Sequence, residues 1–259
     1  PGRAGVVVLQ QFFGCHARIV GKPRVCCQPM HDTELQILEG VSGGPDASPV
    51  ASVIVLHGLG ADGNDFVPVA QALDLAAIGA VRFVFPSAPV RPVTINGGYA
   101  MRAWYDIYPP SANPAVPRRE DEAGLRASMQ QVQGLIEREI ARGVPAQRIV
   151  LMGFSQGCAM TLLTGLRAPN RLAGLAALSG YLPLPQSTAA ERSAANADVP
   201  VFMAHGEDDD IVVPERGEAA RDVLQALGHA VDWRTYPMGH SVCPEEVADL
   251  NRWLLRVLA

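Results

Sequence analysis

Ser155 sits in Gly153-Phe154-Ser155-Gln156-Gly157, a G-x-S-x-G pattern preceded by the apolar run Arg148–Met152 and followed by the helix-like Cys158–Leu163. A strand that turns abruptly into a helix lifts the middle residue out of the backbone, and the flanking glycines spare collisions with neighbouring elements. Free N–H groups and the dipole at the helix start favour negative charge there, which suits a nucleophile. A serine hydroxyl is a weak nucleophile at neutral pH. It needs an imidazole to take its proton and a carboxylate to fix that imidazole's tautomer. Two later stretches supply them: His205-Gly206-Glu207-Asp208-Asp209-Asp210 and Met238-Gly239-His240. Ser155 precedes Asp209 by 54 residues and Asp209 precedes His240 by 31, which leaves room for strand–helix units between them. Each stretch also has a plainer reading: a turn whose glycines serve packing, a solvated acidic turn, and a loop histidine. A calcium loop would need D-x-D-x-D-G spacing, which is absent. His16, His31, His205 and His229 have no comparable setting and read as structural or surface residues.

Acyl transfer also needs donors aimed at the developing oxyanion. The N–H of Gln156, next to the nucleophile, is one. A second is expected from the loop His57-Gly58-Leu59-Gly60, whose glycines allow close backbone approach. The same loop continues to Gly63 and matches G-x-G-x-x-G, a dinucleotide fingerprint. That reading requires an acid about 20 residues on. The next strand, Val81–Pro86, offers Arg82 and no acid, so Arg82 on a 2′-phosphate is the oxidoreductase alternative. Cys158 lies three residues past the turn apex and reads as a small core residue.

The elements that must position these groups follow from periodicity and punctuation. Leu35–Leu38 reads as an edge strand and Gly43-Gly44-Pro45 as a turn. Val50–Leu56 and Val81–Phe85 are buried strands, separated by a helix capped by Asn64 and running through Leu75. Residues 86–117 form a long connection with seven of the 21 prolines and the rings of Tyr99, Trp104, Tyr105 and Tyr108. A connection of that length usually serves a site, the alternative being a rigid excursion with its rings packed inward. A helix spans Glu120–Arg142. Strands follow at Arg148–Met152 and Arg171–Leu178, then the irregular Ser179–Asn196. The strand Val199–Ala204, helix Glu215–Leu227, strand Ala230–Tyr236 and helix Pro244–Leu258 complete the chain. Strands alternating with helices predict an α/β fold: a mostly parallel sheet with helices on both faces and sites at the carboxyl ends of the strands.

The 259 residues, 48% of them hydrophobic, suffice for one large core. We divide the chain into an N-terminal extension at 1–29, poorly ordered or non-native with Met30 as a natural start, and one domain at 30–259. A net charge of −5 without a basic block argues against nucleic acid or an anionic membrane as partner. No apolar run is long enough to span a bilayer. Five cysteines, including the adjacent Cys26 and Cys27, match neither a disulfide framework nor a zinc site and fit a reducing, cytoplasmic compartment.

The order of nucleophile, acid and histidine, each after a strand, is that of α/β-hydrolases. His57-Gly58-Leu59-Gly60-Ala61-Asp62-Gly63-x-Asp65-Phe66, Gly153–Gly157, His205-Gly206-x-x-Asp209 and Met238-Gly239-His240 together resemble the phospholipase/carboxylesterase family, which includes the acyl-protein thioesterases. Arg91–Tyr99 through Trp104–Ile107 is similar to its small bacterial carboxylesterases. The resemblance covers about residues 34–258. It implies an α/β-hydrolase fold with a minimal cap, the nucleophile at Ser155, the acid at Asp209, the base at His240, and oxyanion donors at the backbone N–H groups of Leu59 and Gln156. It also implies a shallow acyl groove, no metal or other cofactor, a small-molecule ester as substrate, and frequent homodimers. His57, Gly58, Trp104 and Tyr105 are expected to contact substrate, the last two walling the groove. Cys158 stands where the resemblance leads us to expect glycine, and one extra residue precedes Pro214. The expected activity is carboxylesterase hydrolysis of short to medium acyl esters. The alternatives are an acyl-protein thioesterase or lysophospholipase and, in a different class, a non-catalytic binding protein on the same fold.

Overall fold

The computed structural model describes residues 35–42, 44, 47–112 and 118–259; the expectations for residues 1–29 and for His16 and His31 fall outside them. Nine strands and six helices are described. The strands are β1 (Gln36–Val41), β2 (Ala51–Leu56), β3 (Val81–Ser87), β4 (Val90–Val93), β5 (Tyr99–Arg102), β6 (Ile149–Phe154), β7 (Gly174–Leu178), β8 (Val201–Gly206) and β9 (Val231–Tyr236). The helices are α1 (Val67–Ala72), α2 (Glu122–Ala141), α3 (Gln156–Arg167), α4 (Pro185–Glu191), α5 (Pro214–Ala226) and α6 (Pro244–Val257).

Seven strands form the main sheet in the order β1-β3-β2-β6-β7-β8-β9, parallel except for the edge strand β1. Side chains alternate across a strand, so each strand feeds two cores. On β2, Ile54 and Leu56 pack toward α2, α3 and α5, while Val53 and Val55 pack toward α1 and α6. Helix α3 is buried along Gln156–Leu166, as its apolar sequence requires. The chain leaves β2 for β3 on one side and returns to add β6 on the other. The carboxyl ends of β2 and β6 therefore meet where the winding direction reverses, the usual place for a site in such a sheet.

Three segments differ from the sequence reading. The connection after β3 is not structureless: β4 and β5 pair as an antiparallel hairpin, with Pro92 opposite Ala100 in a two-stranded ribbon that tolerates a missing donor. The helix expected over 64–75 shrinks to Val67–Ala72, because Asn64 donates its N–H to Asp62 in a turn and the helix is entered only from Phe66. The segment after β7 holds the short helix α4, started by Pro185.

The structure also disposes of Arg82 as support for the dinucleotide alternative. Arg82 is buried in β3 and donates to Glu139 of α2 at 2.7 Å, where Ser52 also donates, at 2.6 Å. A guanidinium consumed by a buried carboxylate cannot serve a phosphate. The glycine-rich loop is no nucleotide cradle either, since Gly63 presses on the carbonyl of Phe85 so closely that a Cβ would stand 2.5 Å from it.

Candidate active site

The register of the strands brings the singled-out residues to one edge. Leu56 pairs with Gly153, so His57-Gly58 runs beside Phe154-Ser155, and a Cβ at Gly58 would lie 3.4 Å from that of Ser155. Phe154 pairs with Leu178, Leu178 with Ala204, and Gly206 with Tyr236. The loops carrying Asp209 and His240 therefore leave the same edge.

Ser155 sits at the apex of the β6–α3 turn with φ 56° and ψ −114°. A non-glycine residue there is strained, and its surroundings must hold it. Its N–H donates to Leu178 at 3.0 Å, and its carbonyl accepts from Ala159 at 3.2 Å. Gly157 lies against the carbonyl oxygens of Leu56 and His57, and Gly153 against the carbonyl of Gly157; a side chain at either would collide. Both glycines of the motif are needed for close approach between strand and helix.

His240 follows β9 and packs its ring against Phe154, the residue preceding Ser155, at 4.6 Å between centroids. Its Nδ1–H donates to Asp209 Oδ2 at 2.7 Å. That bond puts the proton on Nδ1 and leaves Nε2 with a free lone pair, the form a general base needs. Asp209 is buried. Its Oδ1 accepts from the N–H groups of Ile211 and Val212 at 3.0 and 2.9 Å. Burial pushes its pKa upward, but the contacts with His205, His240 and Val212 outweigh that and hold it well below the ordinary carboxylate range. Asp208 and Asp210 make no comparable bond to His240, so geometry as well as register favours Asp209 as its partner.

The backbone of the loop after β2 is held from several sides. Gly60 N–H donates to Arg102 of β5 at 2.8 Å, and Trp104 Nε1–H donates to the carbonyl of His57 at 3.0 Å. The His57 imidazole braces the same loop. Its Nδ1–H donates to Gly58 O at 2.6 Å, and Nε2 accepts from Ala88 N–H at 2.9 Å. Burial lowers its pKa to about 4, so it is neutral. A trans peptide points its C=O and N–H in opposite directions. Pinning the Gly58 carbonyl therefore also fixes where the Leu59 N–H points.

The side chains expected to touch substrate are largely covered. His57 has both nitrogens occupied, and Trp104 and Tyr105 are 0% and 2% exposed. Their backbone is bolted to the start of α3, where Gln156 Oε1 accepts from Trp104 N–H and Nε2 donates to Tyr105 O, both at 2.9 Å. The rings are covered by neighbouring elements, which leaves little of either open to a ligand. Sequence reasoning used only the backbone of Gln156 and missed this side-chain clamp, for which the G-x-S-x-G pattern carries no signal.

Cys158 is fully buried, and burial pushes its thiol up to about 12. It packs so tightly on Gly180 that a Cβ there would stand 2.5 Å from its sulfur, with the Ser155 carbonyl 2.9 Å away. The sulfur occupies space at the foot of the elbow.

Residues 43–258 match the phospholipase/carboxylesterase family. The chain belongs to that family. Acyl-protein thioesterase 1 of Neurospora crassa is 42% identical over 213 residues, covering 80% of this chain and 87% of the relative. A probable carboxylesterase of Oryza sativa subsp. japonica is 34% identical, over 78% of this chain and 76% of the relative. Among solved structures, SOBER1 of Arabidopsis thaliana superposes with a TM-score of 0.74 at 33% identity, over 81% of this chain and 99% of the other. Acyl-protein thioesterase 2 of Zea mays gives 0.73 at 28% identity, over 85% and 99%. Membership makes the chain a hydrolase of α/β-hydrolase fold. Among the described residues no helix is long and apolar enough to cross a membrane.

Proposed function

We propose that the protein is a serine carboxylesterase that cleaves short to medium acyl esters through an acyl-enzyme on Ser155. The observation that carries this is the 2.7 Å bond from His240 Nδ1 to Asp209 Oδ2, at the sheet edge where Ser155 holds a positive φ. Ser155 Oγ attacks the acyl carbon while its proton passes to His240 Nε2. The N–H groups of Leu59 and Gln156 receive the negative charge that develops on the carbonyl oxygen. The intermediate collapses, the alkoxide leaves with the proton from His240, and the acyl group stays on Ser155. Water then attacks the acyl carbon, gives a proton to His240, and Ser155 is released with that proton as the acid departs.

A second reading, hydrolysis of acyl thioesters, is favoured by relatives named acyl-protein thioesterase, the Neurospora crassa protein among them. The chemistry is shared; only the leaving atom differs. The free thiols of Cys158 and Cys243 support a reducing, cytoplasmic setting. A homodimer follows from the resemblance alone.

The test uses p-nitrophenyl esters of rising chain length, a palmitoyl thioester and a fluorophosphonate probe, on wild type and Ser155→Ala. Ester turnover and labelling that vanish in the variant are expected. A strong preference for the palmitoyl thioester moves the assignment to the second reading. No labelling and no turnover of either substrate leaves a binding protein on a hydrolase fold.

A further inference from the structure

Asp209 Oδ2 meets two imidazoles. His240 donates to it at 2.7 Å, and His205 Nε2 stands 3.4 Å away on the other side of the acid loop. His205 lies at the end of β8 and is 1% exposed. Its Nε2 lies 2.7 Å from the carbonyl of Val212, which fixes the tautomer: Nε2 carries the proton and donates it. Val212 in turn gives its N–H to Asp209 Oδ1 at 2.9 Å. The loop from 209 to 212 is thus gripped by its N–H groups from Asp209 and by its last carbonyl from His205.

The imidazole has no freedom to turn away. Gly217 of α5 lies against it so closely that a Cβ would stand 2.5 Å from Nδ1. On the β9 side the Trp233 ring lies 6.2 Å off, with the guanidinium of Arg221 over that ring at 5.1 Å. Asp209 is the carboxylate facing His205 within ion-pair distance, so Nε2–H is directed between that carboxylate and the Val212 carbonyl.

We propose that His205 is a positioning residue for the acid–base pair: from one nitrogen it anchors the Val212 carbonyl and flanks Asp209 Oδ2, setting the direction from which that oxygen meets His240. This rests on the proposed esterase reading for its kinetic consequence, though not for its geometry. His205 touches no reacting atom and acts through Asp209.

The test compares His205→Ala, His205→Gln and Gly217→Ala with wild type. With p-nitrophenyl butyrate, His205→Ala loses about 10²-fold in kcat at unchanged KM, the scale expected when a catalytic group is misplaced by about an ångström. His205→Gln, whose amide keeps an N–H donor, recovers most of that loss. Gly217→Ala pushes the intact imidazole and gives an intermediate loss. Thermal melts establish that each variant is folded. Proton NMR gives a readout independent of turnover: the downfield Nδ1–H signal of His240 persists in wild type and His205→Gln and disappears in His205→Ala. Wild-type kcat or a surviving Nδ1–H signal in His205→Ala overturns the proposal, as does equal damage in the Ala and Gln variants. Loss of the Nδ1–H signal in a protein that turns over no ester would sink the esterase reading and leave the positioning role standing.

Discussion

In the proposed mechanism Ser155 and His240 act on a single proton, so their removal should not add. Ser155→Ala is expected to lower kcat by about 10⁶-fold, and the double variant Ser155→Ala/His240→Ala by no more than that. A further drop in the double variant would mean that the two residues work independently. Asp209→Asn keeps the shape but loses the charge and the tautomer, at about 10⁴-fold in kcat. His57 belongs to a different account, one of stability. The folded protein holds its imidazole neutral with a pKa lowered by burial to about 4, whereas an unfolded chain takes up the proton near the ordinary 6.5. The stabilisation is whole above 6.5 and drains away as pH falls toward 4, by on the order of 3 kcal/mol. Melting curves across that window should fall steeply for wild type and more gently for His57→Gln. Parallel curves would show that another group governs the acid limb of stability.

At the scale of elements, the elbow between β6 and α3 is a contact between backbones. Gly157→Ala drives a methyl group into the carbonyl oxygens of Leu56 and His57. We expect a loss of about 3 kcal/mol in chemical denaturation, the upper range for overpacking, together with loss of activity. A variant with an unchanged midpoint would mean that the start of α3 and the end of β2 do not approach so closely. Helix α6 holds a different tension. Glu246 in its first turn is fully buried, its two oxygens lack side-chain partners, and burial raises its pKa to about 8. The folded protein therefore keeps a proton there that an unfolded chain releases near 4.5, so stability falls as pH rises from 4.5 through 8. Glu246→Gln should flatten that decline. If wild type and variant lose stability alike between those values, the carboxyl is not protonated in the fold.

At the scale of the whole molecule, parallel strands converge their carboxyl ends on one rim, and a small hairpin, β4–β5, leans on the loop after β2. The large rings of Trp104 and Tyr105 brace that rim from behind. An open acyl groove, as the proposed function implies, should grade acyl chains gently. Each added methylene can contribute at most about 0.8 kcal/mol, somewhat less than fourfold in kcat/KM. A series of p-nitrophenyl esters checks this, and a sharp cut-off between neighbouring chain lengths would point to a closed pocket instead.

Spacing and pattern alone carried the parallel sheet, the elbow at Ser155 and an acidic loop followed by His240; the choice of Asp209 within that loop came from the family resemblance. The first three are encoded locally: apolar runs of strand length, glycines where backbones touch, and polar residues just past strand ends. The His-Gly-x-x-Asp register pointed to the acid, and the bond to His240 Nδ1 gave it a physical basis. Periodicity could not tell that Arg82 is consumed by Glu139, because that partner lies 57 residues away on a helix packed from the other side. Nor could it tell that Trp104 and Tyr105 face inward, or that His205 shares an oxygen with His240. Burial and hydrogen-bond direction are set by which elements pack together, and no window along the chain contains that information.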